Sequence, residues 1–377
     1  MGIIRLLLAM AVLIDHASSA RGFHLVTGSV AVEAFFMISG FYMALVLNEK
    51  YIKENSSYSL FISQRLLRLY PIYWVVLGLT VAISAVLLGS KGYPLKLEAY
   101  LQASHLTPVT WLVLGWSNLV IIGQDALMFL GLDKASGQLY WTADFHATAS
   151  PQVWQFLFVH QAWSLSIEIA FYLMAPFLMR RHTGVLLLLT ILGIGLRIYI
   201  YHIGLRNDPW SYRFLPCELA FFFTGGLAYR AYAQLKRRAI PRAVLWLALT
   251  TVVGFIMSYS FLPPTYLVQI LFYVCFAVAL PFNFLLTKKS SWDYKIGELS
   301  YPFYISHVLV LLLFWYLSPE LHSMREKMVF ALALLTTNIL FSMLLVRFVA
   351  EPVERLRQRR IKKSAAILTV PAVWNEA

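Results

Sequence analysis

The run Gly28-Ser-Val-Ala-Val-Glu33-Ala-Phe-Phe-Met-Ile-Ser39-Gly40-Phe-Tyr-Met-Ala-Leu-Val-Leu47 decides the fold. Its only Asp, Glu, Lys, Arg or His is Glu33. A helix of about 20 mostly apolar residues crosses the hydrocarbon core of a bilayer. Comparable runs recur at Ile3 to Ser19, Leu69 to Gly89, His160 to Met179, Thr183 to His202 and Phe214 to Ala233. Four more follow at Ala243 to Phe261, Thr265 to Leu286, Leu299 to Ser318 and Met328 to Val346. The expected fold class is therefore all-α, a polytopic integral membrane bundle of about ten helices.

Composition agrees. Of 377 residues, 60% are hydrophobic and only 13% charged, where a soluble domain carries about a quarter charged. Soluble enzymes, disulfide scaffolds and disordered chains are excluded. Cys217 and Cys275 sit in apolar stretches and read as small apolar residues. No metal-ligand spacing occurs, so no metal is expected.

The net charge of +13 does not indicate a nucleic-acid partner, because the basic residues are spread between apolar runs instead of gathering on one face. They cluster at Lys50 and Lys53, Arg65 and Arg68, Arg180 and Arg181, Lys236 to Arg238, Lys288 and Lys289, and Arg355 to Lys363. With ten spans and both termini cytoplasmic, 22 of the 31 Lys and Arg lie inside and 9 outside, the bias of membrane proteins.

The same bias handles an eleventh apolar stretch, Thr110 to Leu130. A single crossing there would turn basic loops outward, so the stretch is expected to dip in and return or to pack without crossing. The longest extracytoplasmic segment is then about 90–159, rich in Trp and holding His105, Asp144 and His146. The expected organisation is one embedded domain over 1–350, then a basic cytoplasmic tail over 351–377 that suits anionic lipid. Arg5, the apolar run Leu6 to Ile14 and the small residues Ser18 to Ala20 also fit a cleaved signal peptide. Asp15 and His16, late in that run, favour a retained helix instead.

Ionisable residues inside spans point to function. Arg5 and His16 are eleven residues apart, hence on one helical face and about 16 Å apart along the axis. Glu33 lies in the second span, where Ser39-Gly40 permits close helix approach. Arg65 and Arg68 form an i, i+3 pair before Tyr70-Pro71, a fork for phosphate or a plain membrane anchor. The fourth span opens Trp163-Ser-Leu-Ser-Ile-Glu168, whose carboxylate wants a partner. Ser300, Tyr304 and His307 make a polar stripe on a greasy helix.

These motifs together resemble the acyltransferase 3 family of integral-membrane acyltransferases. The resemblance comprises Arg5 with His16, the run Glu33 to Gly40, Arg65-x-x-Arg68, Trp163-Ser-Leu-x-x-Glu168, Ser300-Tyr-Pro-x-Tyr304-x-x-His307, and Glu351-Pro352 leading to Arg355. It implies a bacterial inner-membrane enzyme taking an acyl group, most simply acetyl, from cytoplasmic acyl-CoA to a hydroxyl of an extracytoplasmic or membrane-associated carbohydrate. It implies no role for Asp15, and the hydrolase-like domain fused to some members is not seen in this sequence.

On that reading Arg65 and Arg68, with Arg5, hold the CoA phosphates. His16 acts as base or acylated nucleophile, Glu168 or Glu33 orients or charges its ring, and Ser300, Tyr304 and His307 bind substrate. The rival from another class is a secondary transporter or flippase for a lipid-linked saccharide. The sequence lacks the paired broken spans that such proteins show. Oligomeric state is left open.

Overall fold

The computed structural model describes residues 1–18, 25–50, 58–103, 105–317 and 323–358. Each expected span falls on a helix: α1 (Gly2–Ser18), α2 (Gly28–Leu45), α3 (Tyr58–Lys91), α6 (Trp163–Leu178), α7 (Thr183–His202), α8 (Leu215–Leu235), α9 (Arg242–Ser258), α10 (Tyr266–Thr287), α11 (Ser291–Leu317) and α12 (Met324–Leu345). Two short helices, α4 (Glu98–Gln102) and α5 (Pro108–Val120), and a hairpin of β1 (Leu130–Leu132) with β2 (Leu139–Trp141) lie between α3 and α6. Among the described residues, seven helices are long and apolar enough to cross a membrane unaided. The remaining three fall short because α1 and α6 have 17 and 16 residues, and α8 carries Glu218 and Arg230.

The bundle's outside is apolar. Large side chains on α7, α10 and α12, such as Ile191, Leu192, Ile270, Val278, Leu332 and Leu340, are exposed. A continuous apolar exterior of this kind suits lipid, not water. The interior instead holds polar groups at hydrogen-bonding positions, and the chain is a helical membrane bundle.

Close approaches between helices use glycine. A Cβ on Gly40 of α2 would lie 1.9 Å from the Phe222 carbonyl oxygen of α8, and one on Gly225 would lie 2.0 Å from that of Met37. Gly2 and Gly297 bring α1 and α11 together in the same way. Asp293 of α11 then accepts from the amides of Gly2 (2.7 Å) and Ile3 (3.1 Å), satisfying donors that the first turn of α1 leaves unpaired. With Ile4, Leu8, Ala9, Ala11 and Leu13 buried, α1 is part of the core, as a retained helix should be. The small residues of the alternative cleavage site, Ser19 and Ala20, lie outside the described residues.

Contacts fix the relative directions of the helices. Gly2 of α1 meets Gly297 of α11, and His16 meets His307 further along both, so α1 and α11 run parallel. Likewise α6 runs parallel to α2, since Glu168 meets Ser39 and Met179 meets Asn48. Those directions require no net crossing between α3 and α6, in agreement with the charge bias. Within that interval α5 is a half-length helix, started by Thr107, whose hydroxyl accepts from the Thr110 amide (3.2 Å), and by Pro108 at its first position.

Three side chains of α3 cap the last carbonyls of α5: Tyr73 donates to Asn118 (2.5 Å), Trp74 to Leu119 (2.9 Å) and Tyr70 to Val120. The chain then reverses at Ile121, a β-branched residue with a φ of 67°. The stretch from Thr110 to Leu130 therefore goes in and comes back, its non-helical backbone sealed by protein.

Three boundaries differ from expectation. Arg65 and Arg68 lie inside α3, which starts at Tyr58 and continues through Pro71, not in a loop. Helix α11 begins at Ser291, eight residues before the expected Leu299. Beyond a π-helical turn at Val346–Ala350, residues 351–358 continue the helix of α12 instead of opening a tail, and Arg357 donates to Gln64 of α3 (2.8 Å). Lys53 and the basic residues 359–363 lie outside the described residues.

Candidate active site

A cavity of about 490 Å³ opens between α1, α2, α3, α6 and α11. One end is basic. Arg5 of α1, Arg65 and Arg68 of α3, Lys288 at the end of α10, and Arg357 all line it. Arg68 lies 3.6 Å from Glu298 with its side chain 39% exposed, so this end is reachable from solvent. Arg5, Arg65 and Arg68, expected from the sequence to share a task, line the same cavity. Their helices bring them together from positions about sixty residues apart in the chain.

Glu168 and Ser39 form the cavity's polar wall. Glu168 Oε1 accepts from Ser39 Oγ (2.7 Å) and from the Tyr172 hydroxyl (2.5 Å). These two donors are the partners that a carboxylate in an apolar helix needs. They hold Glu168 at the arginine side of the cavity, so the expectation that it orients His16 is not met.

At the opposite end Ser164 Oγ and the Tyr304 hydroxyl are hydrogen-bonded at 2.7 Å, and both are buried. Tyr304 donates also to the Gln161 carbonyl (3.0 Å). Ser300, one turn before Tyr304 on α11, lines the same wall and donates to the Gly297 carbonyl (2.7 Å).

The imidazoles stand behind this pair. His307, one turn beyond Tyr304, is fully buried, with Nδ1 held by the Tyr304 carbonyl. Its Nε2 has no hydrogen-bond partner among the described residues. His16 Nδ1 is held by the Val12 carbonyl (2.8 Å). In both rings the bonded Nδ1 carries the proton, so Nε2 presents the lone pair. Arg5 lines the cavity, whereas His16, about 16 Å further along α1, and His307 do not.

Glu33 is elsewhere. Its carboxylate is buried against Arg197 of α7 (2.5 Å) and the Tyr273 hydroxyl of α10, and Glu218 of α8 lies 3.5 Å from the same guanidinium. The assignment of Glu33 to the ring of His16 is corrected by this. Both oxygens are committed to a structural ion pair joining four helices, and Arg197 is separated from Glu33 by 164 residues. No sequence spacing announces such a partner.

Sequence reasoning also missed His160 and Lys96. His160 lies in a short 3-10 turn (His160–Ala162) ahead of α6, and Lys96 Nζ lies 3.0 Å from its Nδ1. The available signal was a lone lysine within Leu95-Lys96-Leu97 and a histidine just before the Trp163-Ser-Leu motif.

A lipid-facing bundle with a half-buried polar cavity, and two imidazoles in contact beyond its hydroxyl pair, defines the class: a membrane-embedded helical protein with an internal polar site. The family profile described as "Acyltransferase domain" matches residues 1–347. The chain belongs to that family, acyltransferase 3. Over 67 residues it is 34% identical to the exopolysaccharide production protein ExoZ of Rhizobium meliloti (strain 1021), covering 18% of this chain and 20% of that one. The chain thus matches about a fifth of the length of this curated relative. No solved structure matches the chain.

Proposed function

We propose that the protein moves an acyl group, most simply acetyl, from cytoplasmic acyl-CoA to a hydroxyl of a saccharide, at a bacterial inner membrane with both termini inside. The observation that carries this reading is the cavity with arginines at its open end and a hydroxyl pair backed by imidazoles at its closed end. Arg5, Arg65 and Arg68 suit the phosphates of CoA, which planar guanidinium groups bind through paired hydrogen bonds. From Glu298, beside Arg68, to His307 is nine residues of helix, or about 13.5 Å. That is a length an extended pantetheine arm can fill.

With the thioester at the Ser164–Tyr304 pair, the hydroxyls turn from each other and from the Gln161 carbonyl to donate to the thioester carbonyl oxygen as negative charge develops there. His16 Nε2 accepts the proton of the attacking hydroxyl. The new C–O bond forms, the C–S bond breaks, and the departing thiolate takes up the proton as CoA thiol. A saccharide acceptor is supported by the similarity to a protein of exopolysaccharide production and by the aromatic outer segment, where Trp141 is 65% exposed and stacked on Phe129.

Protein in lipid nanodiscs is expected to release CoA thiol from acetyl-CoA when an oligosaccharide acceptor is present, with the acetyl mass appearing on the saccharide. A transporter or flippase would move the saccharide and release no thiol. Saccharide transport without thiol release would overturn the proposal.

A further inference from the structure

Outside the lining of the cavity lies a second group of polar side chains. Lys96, just beyond the end of α3, has its Nζ 3.0 Å from His160 Nδ1 and 5.9 Å from the ring centroid of Trp154. Trp154 meets His160 edge to face at 5.4 Å and donates through Nε1 to Gln152 (2.6 Å). Lys96, Trp154 and His160 are all half-buried, so the group is not sealed in the core.

The turn that carries His160 is fixed to the catalytic stretch of α11. Gln161 Nε2 donates to the Ile305 carbonyl (2.6 Å), and its own carbonyl accepts from Tyr304 (3.0 Å). His16 and His307 are within electrostatic reach of His160. The group therefore adjoins the proposed reacting centre.

Its charge is one-sided. The groups that act most strongly on His160 include no carboxylate: they are the cations Lys96 and Arg213, the latter paired with Asp208 at 2.8 Å, and the imidazoles of His16 and His307. Lys96 has no carboxylate within ion-pair distance among the described residues, and burial pushes its pKa down to about 8. A half-buried ammonium whose neighbours are an imidazole and an indole lacks a counter-ion, and withdrawing such a charge from water is costly unless it is paired. An indole beside a cation is also a surface on which a sugar ring stacks while its charged substituent is held.

We propose that Lys96, His160 and Trp154 form an acceptor subsite for an anionic saccharide, Lys96 pairing with a carboxylate or phosphate of the acceptor. The proposal rests on the acyl-transfer reading for the identity of the ligand as acceptor, but its binding chemistry is independent of the donor. A hydroxyl of the sugar bound here faces His16 and His307. Carboxylate and phosphate share this recognition, so both are tested.

The full-length protein in nanodiscs is titrated, without acyl-CoA, with three probes: a glucuronate-bearing oligosaccharide, its carboxyl-reduced neutral counterpart, and that neutral oligosaccharide carrying a terminal phosphate. At least one anionic probe should bind tenfold or more tightly than the neutral one, and the arm that does so identifies the anion. Lys96→Met should reduce this preference to nothing, while Lys96→Arg keeps it. High salt should weaken the anionic probe and leave the neutral one unchanged in the unaltered protein, a readout that survives if Lys96→Met fails to fold.

Equal binding of all three probes, absence of binding, or a preference that persists in Lys96→Met would overturn the subsite. Thiol release from acetyl-CoA is measured separately on the same preparation. Its failure alongside Lys96-dependent binding would refute the donor reading and leave the subsite standing.

Discussion

His16 of α1 and His307 of α11 meet edge to face, with ring centroids 5.1 Å apart and planes inclined by 63°. Each Nδ1 is bonded to a carbonyl of its own helix, which places the proton on Nδ1 and the lone pair on Nε2 in both rings. The helices that carry them are locked together at the other end by Asp293 and the paired glycines.

Replacing His16 by Ala should lower acyl transfer by about 10²- to 10⁴-fold, the range for loss of a positioned acid–base group. Thermal unfolding in detergent should hardly change, since the ring is only half-buried. Acyl transfer at the unaltered rate by a folded His16→Ala protein would remove His16 from the chemistry.

The double replacement of Arg65 and Arg68 by Ala should raise the KM for acyl-CoA about 10²- to 10⁴-fold, because hydrogen bonds to charged groups contribute about 1.5–3 kcal/mol each. The kcat should change far less, as neither residue reaches the hydroxyl pair. Steady-state kinetics with saturating acceptor separates the two. An unchanged KM would make both arginines simple anchors.

Gly40→Val should abolish accumulation of folded protein, because its first side-chain carbon would overlap the Phe222 carbonyl oxygen of a neighbouring backbone. Gly78→Ala, a helical glycine with nothing within 4 Å of the added carbon, should be neutral or slightly stabilising. Fluorescence-detected gel filtration of membranes carrying either variant reads both outcomes.

The Arg197 cluster places two carboxylates against one guanidinium in a buried setting. Arg197→Met leaves both without their counter-ion and should cost about 3–5 kcal/mol. Glu218→Gln removes the carboxylate whose oxygens have no hydrogen-bond partner among the described residues, and should be neutral or stabilising. Melting temperatures of the purified variants decide between this ordering and its reverse.

Binding of an anionic acceptor should fall as pH rises through about 8. Burial lowers the pKa of Lys96 from its ordinary value to about 8, so the ammonium that attracts an anion is present below that pH and lost above it. Titratable neighbours are His160, which contacts Lys96, and Glu98 on the adjoining turn, which is exposed and bonded to Gln102 (2.9 Å). Lys96→Arg should keep binding constant across the same range, and isothermal titration from pH 6.5 to 9.5 would show the difference.

Much of this was legible in the chain because it depends on short-range rules. Apolar length gave every principal helix, and Ser39-Gly40 marked a close crossing that Gly40 then makes. Loop charge showed that residues 110–130 return to the side they came from. The failures share one cause, which is partnership at long range. Glu33 reads as a functional acid until Arg197 and Tyr273 are seen to consume it, and Glu168 reads as a partner of His16 until Ser39 and Tyr172 take its place. Lys96 and His160 are 64 residues apart, and only the folding of the outer segment onto α11 gives them a shared role.

The pairing of α1 with α11 has a consequence for how the molecule is made. Gly2 and Asp293 are separated by 291 residues, so α1 finds α11, its main neighbour, only after the helices between them have been made. Until then Arg5 and His16 have no opposite wall, and the cavity does not exist. Under the proposed function, a chain that stops before α11 should be silent towards the thioester donor, competence arriving in a single late step.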